Sequence, residues 1–121
     1  MSRYLRFLLI AFTLLLPLAA YALPTITPSA VMYSANQYNG QKVKVEGIIS
    51  QLMAKVAQDG TPYQTFKLCD ANACLQVYAM TTAGGKPTAY KEGAEVTLKG
   101  HFWMLVQRGY QTFHNELDID P

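Results

Sequence analysis

The amino-acid sequence predicts a small all-β barrel of five strands, preceded by one short helix. Three observations carry this expectation. Five separate stretches alternate apolar and polar residues with a period of two, the pattern of half-buried strands. Gly47 and Gly100 fall inside two of those stretches, where a small barrel must coil tightly. Five one-faced strands on so short a chain also leave edges to hide, and closure into a barrel removes them.

Residues 1–22 read as a secretory signal peptide. Arg3 and Arg6 form a positive start, Phe7 to Leu18 is apolar apart from Thr13 and Pro17, and Ala20-Tyr21-Ala22 offers a small-x-small cleavage site. The apolar run is shorter than the ~20 residues that cross a bilayer comfortably. The alternative is an uncleaved anchor. Cleavage after Ala22 leaves residues 23–121 as a single domain of 99 residues, exported to the periplasm or beyond. Of the 10 Lys and Arg in the whole chain, Arg3 and Arg6 leave with the signal, so the mature domain is formally neutral against its 8 acids. Its composition therefore offers no cationic excess for holding phosphates.

Leu23 to Pro28 is an extended lead. Thr27 followed by Pro28 predicts a helix start, and Ser29 to Gln37 continues it until Asn39-Gly40. From Gln41 the period changes to two: Val43, Val45 and Gly47 alternate with Lys42, Lys44 and Glu46, with a bulge or bend expected at Gly47. Asp59-Gly60-Thr61-Pro62 is a turn. Tyr63 to Cys69 forms the second strand, with Phe66 and Leu68 inward, and Cys74 to Ala79 the third. A polar stretch, Thr81 to Pro87, and a helical turn at Thr88 to Lys91 lead to the fourth strand from Glu95. Arg108-Gly109 turns the chain into the last strand, Tyr110 to Ile119.

Cys69 and Cys74 enclose four residues with turn chemistry, and an oxidising compartment makes a disulfide the expectation. So short a loop would contribute only about 2 kcal/mol, a local staple. The competing reading is a redox or metal pair, but no helix follows Cys69 to lower a thiol pKa.

The strand count, the long third connection and the short last hairpin fit a five-stranded Greek-key barrel of the OB type. Asn39 to Ile48 (NGQKVKVEGI) resembles the first strand of exported bacterial OB-fold domains of the nucleic-acid-binding, anticodon-binding-like type. Phe66-Lys67-Leu68-Cys69-Asp70 is similar to their F-x-L-x-D strand end, and Gly93 to Gly100 to their G-x-x-V-x-V-x-G strand. The resemblance spans residues 39–119. It implies a binding module for single-stranded nucleic acid or another extended ligand, such as a peptide, although architecture alone does not fix a ligand.

No enzyme constellation is present: the only histidines are His101 and His114, without hydrolase, zincin or phosphate-loop motifs. The sequence thus reads as a non-catalytic protein with no cofactor of its own. Tyr63, Tyr78 and Tyr110 are candidate stacking rings, with Lys67 and Arg108 as nearby cations and Trp103 as a further aromatic contact. The same tyrosines would equally serve as strand formers at a barrel rim. Glu116, Asp118 and Asp120 read as a solvated face of the last strand.

A second reading, a periplasmic copper chaperone, rests on His101-Phe102-Trp103-Met104, where imidazole and thioether suit Cu(I). A protein-binding accessory subunit of an envelope complex is the further alternative. The haem chaperone of cytochrome c maturation is another exported OB-type barrel, with an attachment signature similar to H-x-x-x-Y. Here Leu105 follows His101 at that spacing and Asp118 follows His114, so the sequence reading sets that activity aside.

Overall fold

The structure is a computed structural model and describes residues 22–80 and 90–119. The signal segment, apart from Ala22, and the first half of the expected helical turn at Thr88 to Lys91 lie outside these residues. The element order is β1 (Thr25–Ile26), α1 (Pro28–Tyr33), α2 (Ala35–Tyr38), β2 (Lys42–Val56), β3 (Pro62–Cys69), β4 (Cys74–Met80), β5 (Glu95–Arg108) and β6 (Gln111–Ile119). Neighbours run β1-β2-β3-β4-β6-β5, and β5 pairs back onto β2, closing the five long strands into a ring. This order, with β4 and β6 parallel over Gln76–Tyr78 and Glu116–Asp118, is that of an OB-type barrel.

The alternation read from the sequence sets the core. Val43, Val45 and Ile49 from β2, Phe66 and Leu68 from β3, Leu75 and Val77 from β4, Phe102 from β5 and Leu117 from β6 are all buried. Complete burial of rings such as Phe66 and Phe102 is worth about 1.5–3 kcal/mol each. Gly100 lets β5 and β6 approach closely: a methyl group there would overlap the backbone carbonyl oxygen of Asp118. Gly47 likewise faces the Cys69 carbonyl and the Leu68 side chain.

The bulge expected at Gly47 occurs four residues later. Gly47 keeps regular pairing with Val96, whereas the register against β3 slips between Ser50 and Met53, with Gln51 in the left-handed region at φ 55°. Glu92 accepts hydrogen bonds from the Gln51 and Leu52 amides at 3.2 and 2.9 Å, so the bulged backbone is satisfied by a side chain from the connection that leads into β5. The single extra residue reverses which residues of β2 face outward. Leu52 packs on the core, and Met53 and Lys55 turn to the outer face beside Thr65 and Tyr63.

Helix α1 begins as predicted. Thr27 is its N-cap, accepting from the Ala30 amide through Oγ1 at 3.2 Å, with Pro28 at the first turn. The expected helix to Gln37 divides at Ser34 into α1 and α2. A six-residue helix has no stability of its own. Two tertiary contacts hold it: Val31 is fully buried in the core, and Asp70 accepts from the Ser29 amide and hydroxyl at 2.9 and 2.6 Å. Asp70 also receives the Asn72 and Ala73 amides, and these hydrogen bonds hold its carboxyl well below the usual carboxylate range. The strand-end aspartate of the F-x-L-x-D pattern thus ties the helix to the turn between β3 and β4. Cys69 and Cys74 face each other across that turn and form the expected disulfide.

Candidate functional site

The outer face of β3 and β4 carries Tyr63, Thr65, Gln76 and Tyr78, opposite in phase to the core residues Phe66, Leu68 and Val77. Both long hairpins reach this face. The β2–β3 hairpin supplies Met53, Lys55 and Ala57, and the β5–β6 hairpin supplies Arg108, Gln111 and Phe113, with Glu116 at the base. Together they enclose a cleft of about 370 Å³, within the range of small-molecule sites.

Its floor is an aromatic and charged stack. The rings of Tyr63 and Tyr78 lie 4.9 Å apart. The Arg108 guanidinium sits 3.8 Å above the Tyr78 ring and 5.5 Å from that of Phe113, within cation–π range. Arg108 donates through Nη1 and Nη2 to the two Glu116 oxygens, both at 2.7 Å, and through Nη2 to Asp118 at 3.2 Å. The Glu116 side chain is 2% exposed against 29% for Arg108, so the pair spans the boundary between interior and cleft.

The acidic face expected to be solvated is instead met by Arg108: Glu116 is buried and Asp118 is about a third exposed. The two carboxylates keep one face, beside Gln76 and Tyr78, while Leu117 lies beside Val77 in the core. Asn115, at φ 53°, a conformation open to asparagine, precedes them and brings Phe113 to their side. Glu116 then shares the cleft with Phe113. Asp120 lies outside the described residues.

Electrostatics follow from this burial. Hydrogen bonding to Glu116 raises the Arg108 pKa further. Desolvation, and then the adjoining Glu116 carboxylate, push Asp118 up to about 7 against the opposing pull of Arg108. Burial also raises the Tyr78 phenol. The cleft thus holds an ion pair, a carboxyl that exchanges its proton near neutrality and a protonated phenol.

Of the residues singled out from the sequence, Tyr63, Tyr78 and Arg108 come together in this cleft. Lys67 shares the face, paired across from Gln76, but lies outside the lining. Tyr110 is fully exposed at the β5–β6 tip, where it lines a shallow opening next to Asp59. Trp103 is elsewhere, its ring 6.4 Å from that of His101 and close to Gly40. Met104 packs against the core, so the His101–Trp103–Met104 grouping does not converge as a copper site. Sequence reasoning missed Met53 and Lys55, because the bulge reversed their side, Phe113, because of Asn115, and Glu116, because only the approach of Arg108 covers its face.

A closed five-stranded ring with a cleft between its two long hairpins is an OB-type barrel of the small binding-module class. No curated protein matches the chain. Residues 24–115 match the model of the CcmE domain family, and the chain belongs to that family. The family is one of haem chaperones in cytochrome c maturation.

This membership corrects the functional readings drawn from sequence. The resemblance to nucleic-acid-binding OB domains holds for architecture and fails for ligand. The cleft agrees: Lys55 and Arg108 stand against Glu116 and Asp118, without a cationic stripe to follow phosphates. The copper reading falls with it. The haem-chaperone family, set aside for want of one attachment motif, is the family whose barrel this is.

Proposed function

We propose that this protein is an envelope carrier of the cytochrome c maturation class that handles haem reversibly. Family membership supports the ligand class and an envelope setting among other maturation proteins. The N-terminal residues 1–22, read as an export signal, fit the same setting, and no helix among the described residues is long and apolar enough to cross a membrane. The cleft walls Tyr63, Tyr78 and Phe113 offer a flat conjugated ligand aromatic contact, and Met53 adds a polarisable thioether.

The observation that carries reversibility is chemical. Covalent attachment in this family resemblance uses a histidine followed four residues later by tyrosine. Neither His101 nor His114 has that neighbour in this chain. Over these residues the contacts offered to a cargo are the non-covalent ones of the cleft.

Titrating the purified protein with haem tests both parts. A saturable one-to-one Soret shift, with all pigment removed by acidified organic solvent, is the expected result. Absence of a saturable shift defeats the carrier reading, and pigment that resists extraction defeats reversibility.

A further inference from the structure

Lys55 and Arg108 face the same cleft from opposite hairpins, and neither is fully used by the protein. A guanidinium carries five N–H donors. Three are engaged by Glu116 and Asp118, and among the described residues no acceptor meets the other two. Among those same residues, no carboxylate pairs with Lys55. Tyr63 and Tyr78 fill the floor between the two cations.

We propose that this cleft is a recognition site for the carboxylate group of a flat, conjugated ligand, which Lys55 and Arg108 hold while Tyr63 stacks on its ring system. The proposal deepens the carrier reading and rests on it for the identity of the natural cargo. Its chemistry is independent of iron and of any axial ligand.

The residues divide the work by position. Glu116 is buried and takes both Arg108 terminal nitrogens at 2.7 Å, so it fixes the guanidinium plane flat against Tyr78. The two remaining donors, Nε–H and the second Nη1–H, lie on opposite edges of the guanidinium, so a bidentate partner takes the Nε–Nη2 edge that Asp118 shares. The Asp118 contact is longer, at 3.2 Å, and it is the member that an incoming carboxylate would displace. Lys55, on a strand edge shifted outward by the bulge, supplies a mobile point charge that adapts to the position of the ligand. Each carboxylate contact is a charge-assisted hydrogen bond, whereas an alcohol of the same shape makes only neutral ones.

Fluorescence anisotropy with pyrenebutyrate and pyrenebutanol tests this on the full protein without haem. The expected result is saturable binding, with the acid bound at least tenfold more tightly than the alcohol, about 1.4 kcal/mol. Lys55→Glu, an exposed substitution, should remove most of that preference while the melting temperature stays within a degree or two. Tyr63→Leu should weaken acid and alcohol alike. Equal affinity for the two probes, a preference unchanged in Lys55→Glu, or no saturable binding of either overturns the proposal. Haem titration separates the two conclusions: haem binding without acid preference defeats the carboxylate site alone, and acid preference without haem binding defeats the carrier reading alone.

Discussion

Replacing Arg108 by Met tests the floor of the cleft directly. Methionine keeps most of the aliphatic stem and removes the charged group that lies over Tyr78. The Glu116 side chain, 2% exposed, would then hold a carboxylate with no cation beside it. Removing one partner of a fully buried ion pair costs about 3–5 kcal/mol. Arg108 is 29% exposed, so water can reach the vacated position, and the lower end of the range, about 3 kcal/mol, is the expectation. For a domain of this size each kcal/mol lowers the melting temperature by about 4–8 °C, so a fall of about 12–24 °C is expected. Urea titration followed by circular dichroism measures the free energy. The loss should be larger at pH 8 than at pH 5, because an unpaired buried carboxyl escapes its penalty by taking a proton. Arg108→Met combined with Glu116→Leu should recover at least half of the loss, because no orphaned charge remains. A loss below about 1 kcal/mol, or a double variant no more stable than the single one, refutes the burial argument.

Two further outcomes follow from the barrel and its acids. Gly100→Ala places a methyl against the Asp118 carbonyl, a backbone atom that cannot rotate aside, so thermal melts should show a loss at or above the upper end of about 1–3 kcal/mol for overpacking. Gly60→Ala, where the added methyl meets nothing, isolates the separate cost of a left-handed backbone. Asp118 has a folded pKa raised from 3.8 to about 7, so the folded state keeps a proton that the unfolded chain has lost. Its contribution to stability therefore falls as pH rises from about 4 to 7, and Asp118→Asn should flatten the melting-temperature profile across that window. Asp70 is shifted the other way, and its contribution is lost only as pH falls below the ordinary carboxylate range.

The architecture was legible because its signals are local. Val43 and Val45, Phe66 and Leu68, and Leu75 and Val77 each repeat every second residue, and one strand suffices to reveal which side is apolar. Thr27-Pro28 marked its helix start and Cys69–Cys74 its staple for the same reason: partners are within a few positions. The site was legible only where the strands stay regular. Tyr63 and Tyr78 were placed on the outer face correctly, because β3 and β4 run without interruption. Past Gln51 and Asn115 the alternation predicts the wrong side, and both interruptions sit beside cleft residues. The haem-chaperone family was missed by relying on one short motif, when the barrel residues 24–115 carry the family pattern.

The sequence by itself determined the five long strands, their inward faces where the alternation runs unbroken, the helix cap and the disulfide, since each depends on periodicity or on neighbours in the chain. Only the tertiary structure decided the cleft. It requires Lys55 and Arg108, which the chain separates by some fifty residues, to face each other. It also requires Phe113 and Glu116, on opposite sides in strict alternation, to share one side across Asn115. One left-handed non-glycine residue in each long hairpin, Gln51 and Asn115, sets those directions, and such a residue persists because the surrounding hydrogen bonds and packing hold it there.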